Sequence, residues 1–463
     1  MTMRSRFARR LLATALTLGV TVIGADGAWA QTLEQALAQA YGNNPTLGAQ
    51  RARLRAVDEG VPQALSGYRP TVRATASIGR TAGEAKFSGG SSGTEYNPKT
   101  VGLSATQPVY DPTVGPAVRR AERLVEAQRA SLISSEQQVL LTAAQAYLDV
   151  VMNQAVLQLQ INNEQVLRRQ LEAARDRFRV GEYTRTDVSQ SESRLAGAIA
   201  SRISAEGQLK SVRATYERVI GTSPGQQLKA PKPKFKLPAT LDELVEMARA
   251  NNPSVLAASY SESAQQAAVD QQFGRLLPSV NVTAQGTRTF DPGRTSGIEL
   301  NRQDSAQVVA QVTIPLYQAG QPEALVREAK QTANQARLQI EEARRQVSES
   351  AISAWQSLQT ARASIESYSA QIKAAEIALE GVRQEAQVGS RTVLDVLNQE
   401  QELLNARVFL VRAQRDEMVA AFNVLAATGQ LTAQQLSLPV QYYDPKANYD
   451  KTRNKWFGTE VSE

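Results

Sequence analysis

The chain has 463 residues, with 52 lysines and arginines against 45 aspartates and glutamates and a formal net charge of +7. It contains no histidine and no cysteine, which excludes histidine-based acid–base catalysis, Ser-His-Asp triads and disulfide frameworks, and the mild, mixed charge does not indicate nucleic-acid binding. We therefore expect no enzymatic activity, cofactor or metal site, a carboxylate- or lysine-dependent enzyme being the remaining alternative of that class.

Residues 1–30 have the pattern of a secretory signal peptide. Four arginines within the first ten residues precede a short apolar stretch at 11–23, and Ala28 and Ala30 place small side chains where a signal peptidase requires them. The apolar stretch is shorter than the roughly 20 residues of a membrane-spanning helix. We expect Sec-type export and cleavage after Ala30. The remainder would carry a net charge of +4, because the segment holds four arginines and one aspartate, and without a cysteine it is not expected to be a lipoprotein.

The rest of the chain contains two copies of one unit. Asn43-Asn44-Pro45 recurs 208 positions later as Asn251-Asn252-Pro253, and the same offset relates Val180-Gly181 to Val388-Gly389. A shared offset at separate points indicates a tandem duplication. The expected boundaries are repeat 1 at 31–221, an extended proline- and lysine-rich linker at 222–239, repeat 2 at 240–429 and a C-terminal segment at 430–463.

Each copy is predicted to contain three helices, of which the middle one is unusually long. No proline interrupts 117–178, and the stretch is rich in good helix formers. At 1.5 Å per residue, about 65 residues make a rod of about 100 Å. The flanking helices are about half as long, so two of them stacked would match one rod; an ordinary coiled-coil bundle is the alternative. The expected helices are 32–66, 113–178 and 187–220 in repeat 1, and 241–275, 321–386 and 395–428 in repeat 2.

Between the first and second helix of each copy, apolar and polar residues alternate, which is typical of a strand with one apolar face. Each segment is about 10 residues long, the length of a tilted membrane strand. Four strands cannot close a barrel and lipid does not tolerate free edges, so three chains with 12 strands are expected if these strands span the membrane. Half of a soluble sandwich would alternate in the same way. The expected strands are 71–82, 99–109, 279–290 and 305–316.

A helix-turn-helix tip follows each long helix, at 180–188 and 388–396. With the duplicated Asn-Asn-Pro and the proline-bounded strand pairs, these tips make the chain resemble the TolC family of outer-membrane efflux proteins as far as about Pro439. The resemblance implies a mainly helical homotrimer with two tandem helix–strand–strand–helix repeats per chain. A 12-stranded β-barrel in the outer membrane would continue into a periplasmic α-helical barrel.

The resemblance also implies a function and partners. The chain would be the passive exit duct of a tripartite efflux or type I secretion system, surrounded by outer-membrane lipid. Its partners would be a periplasmic adaptor protein, docking near Val180, Gly181, Val388 and Gly389, and an inner-membrane ABC- or RND-type transporter. Docking would open the periplasmic end. A structural coiled-coil protein without a pore is the competing hypothesis.

Residues that close the periplasmic entrance in the family have counterparts at the two tips. Carboxylates repeated by threefold symmetry in a narrow pore favour cations, so a constriction with fewer acids is expected to be less negative. Helix capping is the alternative role for Asp187 and Asp395. We expect an Asp187–Arg391 contact to hold the closed state. The matching positions are Thr186, Asp187 and Arg391 for closing contacts, Asp395 for one ring aspartate, Asn398 in place of the second ring aspartate and Ala386 in place of a tyrosine.

The segment beyond Pro439 contains several tyrosines and lysines. This composition predicts a mobile periplasmic extension that packs aromatic side chains against the equator of the tunnel. Recognition of a partner protein is the alternative role.

Overall fold

The computed structural model describes residues 31–225, 228–231, 235, 237–295 and 298–461. The expected signal peptide and parts of the expected linker lie outside this range. Among the described residues, no helix combines the length and the apolar character needed to cross a membrane.

Both repeats have the same order of elements, and each contains one very long helix. The helices α4 and α8 have 66 and 67 residues, which corresponds to about 100 Å. Repeat 1 contains α1 (Leu33–Asn43), α2 (Pro45–Asp58), α3 (Gly60–Leu65), β1 (Thr71–Ile78), β2 (Thr81–Phe87), β3 (Gly90–Tyr96), β4 (Lys99–Tyr110), α4 (Val114–Arg179) and α5 (Arg185–Ile220). Repeat 2 contains α6 (Leu241–Asn251), α7 (Pro253–Gly274), β5 (Ser279–Thr295), β6 (Ile298–Thr313), α8 (Gln321–Gln387) and α9 (Val393–Ala427), and α10 (Ala447–Thr452) follows.

The expectation of one continuous helix at 32–66 and at 241–275 was wrong, because both stretches are interrupted at the Asn-Asn-Pro motif. Asn44 has an extended backbone and caps α2, and Pro45 takes the first helical position, where no N–H is needed. Repeat 1 has a second break, between α2 and α3. The predicted helix starts at 187 and 395 were also two residues late, since α5 and α9 begin after the caps Thr184 and Thr392.

The second asparagine of each motif also fastens two helices end to end. Asn44 accepts the N–H of Thr46 at 2.9 Å through Oδ1 and donates through Nδ2 to the carbonyl of Val219 at 3.0 Å. Asn252 makes the equivalent bonds in repeat 2, the second of them to Ala427. The helices that begin after Asn44 and Asn252, α2 and α7, therefore continue from the last turns of α5 and α9. As the lengths predicted, shorter helices stacked end to end lie beside each long one.

The two bonds of Asn252 can be separated by substitution. Asn252→Ala removes both and is expected to lower the free energy of unfolding by about 2 kcal/mol, about half from the cap and half from the bond to Ala427. Asn252→Ser keeps a capping oxygen but does not reach Ala427, so about half of the loss should return. Thermal unfolding followed by far-UV circular dichroism measures both. Equal losses for the two variants would contradict a contribution from the cap.

Four strands form one antiparallel sheet in the order β1-β4-β5-β6, and β2 pairs with β3 in a separate hairpin. The expected strand at 71–82 was too long, because the β1–β4 ladder ends at Ile78 opposite Lys99. Next to this pair lies Pro98, which lacks the N–H that would continue the ladder. In contrast, β5 and β6 pair beyond the expected 279–290 and 305–316, as far as Thr295 opposite Ile298, past a bulge between Phe290 and Gly293. The end of β6 at Thr313 comes two residues before Pro315.

The register of this sheet places apolar residues on one face across all four strands. Ala74 lies opposite Leu103, and Ala284 lies opposite Val308. The other face carries polar pairs such as Ser104 with Gln285. The apolar face is not covered by the described chain, since Val308 is 74% exposed. Within the described chain, β1 and β6 each pair on one side and so form the two free edges.

The largest hydrophobic core lies at mid-height of α4, where the short helices meet end to end. It includes the fully buried side chains Tyr147, Tyr216 and Phe422. The described parts of the linker belong to it: Leu228 is buried, and Phe235 meets Phe422 edge-on with ring centroids 4.9 Å apart. This equatorial core holds both repeats together, so the sheet projects from one end of the helices and the tips from the other.

The C-terminal tail reaches farther along repeat 1 than expected. It does not stop at the equatorial core but continues along α2 and α4 toward the sheet, through the contacts Asn448–Asp58 and Arg453–Glu122. Tyr443 packs against the equatorial core, as expected of an aromatic residue of the tail, and the polar contacts with repeat 1 extend beyond that level, while the expected mobility stays a prediction.

Candidate functional site at the helical tips

Each long helix ends in a glycine turn that exposes a valine. Gly181 and Gly389 have φ values of +85° and +81°, a left-handed conformation that suits glycine. In repeat 1 the N–H of Glu182 closes the turn by donating to the carbonyl of Arg177 at 2.9 Å. Val180 and Val388 are 72% and 81% exposed, so both apolar side chains point away from the chain. Both residues lie where adaptor docking was predicted.

Asp187 and Asp395 each complete a capping box, at the start of α5 and of α9 respectively. The carboxylate of Asp187 accepts the N–H of Thr184 at 2.9 Å and its hydroxyl at 2.7 Å. Asp395 accepts the same two groups of Thr392 at 3.0 and 2.8 Å. The backbone N–H and then the hydroxyl of Thr392 hold the pKa of Asp395 below its usual range. The capping alternative therefore applies to both aspartates, and Asp395 keeps its charge in mild acid.

The expected Asp187–Arg391 contact is absent within the described chain. Arg391 pairs instead with Glu385, at 2.9 Å, across the turn of its own hairpin. Glu385 lies six residues before Arg391 in sequence and is brought near it by the glycine turn. Thr186 is exposed, and Ala386 is partly buried.

A different pair joins the hairpins of the two repeats. Arg194 on α5 donates from Nη2 to Oδ1 of Asn398 on α9, at 2.6 Å. Asn398, predicted to replace an aspartate of the constriction, thus holds an arginine of the neighbouring helix. Nothing in the local sequence marked Arg194. Its one signal is spacing, because Asp187, Ser191 and Arg194 follow at intervals of four and three on one helical face.

Two further contacts reinforce this junction. Gln170 on α4 donates to the carboxylate of Glu400 on α9 at 3.2 Å, and Glu400 also pairs with Arg383 on α8. An apolar cluster of Leu167, Ala198 and Leu397 lies at the same level and brings together α4, α5 and α9. The two hairpins are therefore joined by a small number of contacts, most of them polar, close to their free ends.

The comparison with protein families decides the identity of the molecule. The family model described as Outer membrane efflux protein matches residues 36–222 and 244–430, which is one match to each repeat. The chain belongs to the outer membrane efflux protein family. The expected family and its tandem organisation are thereby confirmed.

Individual relatives agree with this outer membrane efflux protein assignment. The outer membrane efflux protein BepC of Brucella suis biovar 1 (strain 1330) is 36% identical over 452 residues, covering 97% of this chain and 96% of that protein. The outer membrane protein TolC of Vibrio cholerae serotype O1 is 24% identical over 417 residues, covering 88% and 93%. In the fold comparison, the CmeC outer membrane channel of Campylobacter jejuni matches with a TM-score of 0.76 at 15% identity, covering 92% of this chain and 90% of that one.

As a member of the outer membrane efflux protein family, the molecule is an outer-membrane transport protein and has the channel-tunnel fold. Its tips combine one capped aspartate in each hairpin with a cross-repeat link, Arg194–Asn398. A positive charge therefore lies about one helical turn from Asp395, since Asn398 follows Asp395 by three residues. This pair of residues can hold the two hairpins together through a weak contact that can be broken.

Proposed function

We propose that this efflux-family protein is the passive exit duct of a tripartite efflux or type I secretion system. The observation that carries the proposal is the four-stranded sheet, with an uncovered apolar face and two free edges, at the end of helices about 100 Å long. Lipid requires a closed sheet, so three copies joined edge to edge would supply a 12-stranded barrel. The helices of the same three copies would continue as a periplasmic tunnel.

The periplasmic end is proposed to open when partners dock. The exposed Val180 and Val388 on rigid glycine turns offer paired apolar contacts for the hairpin of a periplasmic adaptor. An inner-membrane ABC- or RND-type transporter would supply energy and select the cargo. Thr186, Asp187, Arg391, Asp395 and Asn398 line the proposed entrance together with Arg194. One carboxylate ring at Asp395, beside Arg194, would make the constriction weakly rather than strongly negative.

The proposal includes the route to the membrane and the division of the chain. Residues 1–30 would be removed as a Sec-type signal peptide, and the mature protein would not be a lipoprotein. Residues 31–221 and 240–429 would act as the two pseudo-equivalent halves of each protomer, joined by 222–239. The uncovered sheet would then face outer-membrane lipid.

Charge placed on either face of β6 tests this arrangement. Val308→Lys puts an ammonium group on the apolar face and is expected to cost about 2–4 kcal/mol if that face meets lipid near the bilayer midplane. Gln307→Lys puts the same group on the polar face, one residue away, and should be tolerated. Yield of heat-modifiable trimers in outer-membrane fractions and single-channel conductance are the measurements. Equal tolerance of both variants, with no conductance from the parent protein, would favour the coiled-coil alternative.

A further inference from the structure

The C-terminal tail, residues 439–461, connects the equatorial core to the start of the sheet. Its partners advance along repeat 1 from α1 to the residue pair that precedes β1. Beyond α10 the tail therefore lies at the level where helices give way to strands. In order along the tail, the N–H of Tyr443 donates to the hydroxyl of Tyr41 at 3.1 Å, and the amide of Asn448 donates to the carboxylate of Asp58 at 2.8 Å. Arg453 then pairs with Glu122 at 3.1 Å, and the guanidinium of Arg69 donates to the backbone carbonyl of Lys455 at 2.8 Å.

Three arginines of repeat 1 also stack on aromatic rings of the tail. The guanidinium carbon lies 5.2, 5.1 and 4.6 Å from the ring centroid in the successive pairs, which is within the range of cation–π attraction. The described tail therefore contacts repeat 1 at intervals from Tyr443 to Trp456. The pairs are Arg51 with Tyr443, Arg129 with Tyr449 and Arg69 with Trp456.

The path of the tail follows the surface formed by two helices of one chain. Asn448 is bound by α2, while Tyr449 and Arg453 contact Arg129 and Glu122 of α4. The described tail therefore lies on the surface of its own protomer, and its end lies beside Arg69, two residues before the edge strand β1.

The end of the tail combines exposed aromatic and basic side chains. Trp456 and Phe457 are 58% and 86% exposed, and Lys455 precedes them. Tyr68, just before β1, and Tyr110, the last residue of β4, are also exposed at this junction of helices and sheet. Tryptophan and tyrosine are enriched at membrane–water interfaces, where the ring is half in hydrocarbon and basic groups meet lipid phosphates.

We propose that Trp456 and Phe457 insert into the phospholipid headgroup region on the periplasmic side of the outer membrane, so that the tail anchors each protomer to the bilayer surface. The inference rests on the proposed placement of the sheet in the membrane. Trp456 lies against Arg69, two residues before β1, and Lys451 and Lys455 carry positive charge in this part of the tail, while the charge of Arg453 is paired with Glu122. Aromatic rings at such an interface lie at the level of the lipid headgroups.

Brominated lipids test the depth of Trp456 in the full-length trimer. The protein is reconstituted into vesicles of phosphatidylethanolamine and phosphatidylglycerol that carry bromines either near the carbonyl end or near the methyl end of the acyl chains. The difference between parent and Trp456→Phe emission isolates this tryptophan. We expect strong loss of its emission with bromines near the carbonyl end and little loss with the deeper ones. Absence of quenching by either lipid would overturn the proposal.

A second tryptophan separates failure of this inference from failure of the proposed function. Val308→Trp, in the Trp456→Phe background, places a ring on the apolar face of β6 and should be quenched most by the deep bromines. If it is quenched while Trp456 is not, the tail anchor alone is overturned. If neither is quenched, the placement of the sheet in lipid fails as well.

Discussion

Arg194→Ala is expected to raise the resting conductance of reconstituted trimers. The bond from Arg194 to Asn398 is 2.6 Å long and joins α5 of the first hairpin to α9 of the second. A hydrogen bond from a charged group contributes about 1 kcal/mol once partial exposure is allowed for. Three copies in a symmetric trimer would contribute about 3 kcal/mol to the closed state. Since 1.4 kcal/mol is a factor of ten, the ratio of open to closed entrances should rise on the order of 100-fold.

The control for this experiment is an arginine that does not join the repeats. Arg175 pairs with Glu192 at 2.6 Å inside the α4–α5 hairpin, so Arg175→Ala removes a comparable ion pair and should leave the closed state nearly unchanged. Arg391→Ser, which loses only the Glu385 pair within a protomer, is likewise expected to have the smaller effect. Equal increases in all three variants would show that general loosening of the tips, rather than the cross-repeat link, opens the entrance.

A double-mutant cycle assigns the effect to the pair. Asn398→Ala should raise the conductance about as much as Arg194→Ala, and the combined variant should add little, because both substitutions remove the same bond. Additive effects would contradict direct coupling. In the trimer, planar-bilayer recordings without adaptor or pump are the appropriate measurement, since docking is proposed to break the same contact.

A structural feature could be predicted from the sequence when the residues that cause it are neighbours in the chain. The two rods follow from long stretches without proline, and the faces of the strands follow from alternation, so both were visible in the sequence. The capping boxes were also local: Thr184 and Asp187 are three residues apart, the spacing of that motif. The break at Asn44 was marked by the adjacent proline, but its role in joining helices depends on the carbonyl of Val219, far away in the chain.

Most of the contacts that sequence reasoning missed depend on tertiary packing. Arg194 and Asn398 are 204 positions apart, and only the way in which α5 faces α9 brings them together. The same holds for the end of β1, which is decided by Pro98 on the partner strand, and for the tail, whose tyrosines meet arginines of repeat 1. The predicted Asp187–Arg391 contact came from the family resemblance, and within the chain Glu385 is a nearer partner for Arg391.

The internal duplication provides a matched pair of glycines, one in each repeat, with which the stability of the equatorial core can be tested. Gly221 and Gly429 follow the last turns of α5 and α9 and have φ values of +88° and +78°. A Cβ at Gly221 would lie 3.7 Å from the Cβ of Asn43, an ordinary contact. A Cβ at Gly429 would lie 2.5 Å from the carbonyl oxygen of Asn251, a backbone atom that cannot rotate away. Replacement of either glycine by alanine therefore causes similar backbone strain, but only at Gly429 does the new Cβ collide with a neighbouring backbone atom.

Gly429→Ala is expected to destabilise the equatorial core by about 3 kcal/mol, about 1 kcal/mol from the left-handed backbone and about 2 kcal/mol from the displaced α6 end. Gly221→Ala should cost only the first part. Thermal unfolding of the detergent-solubilised trimers measures the difference, and the yield of trimers in the membrane should fall in the same order. Equal losses of stability in the two variants would mean that only the left-handed backbone costs free energy and that the end of α6 moves away freely. A clear difference would mean that the two halves, although built from one repeated unit, are not equally tight at the equator, with the closer helix junction in repeat 2.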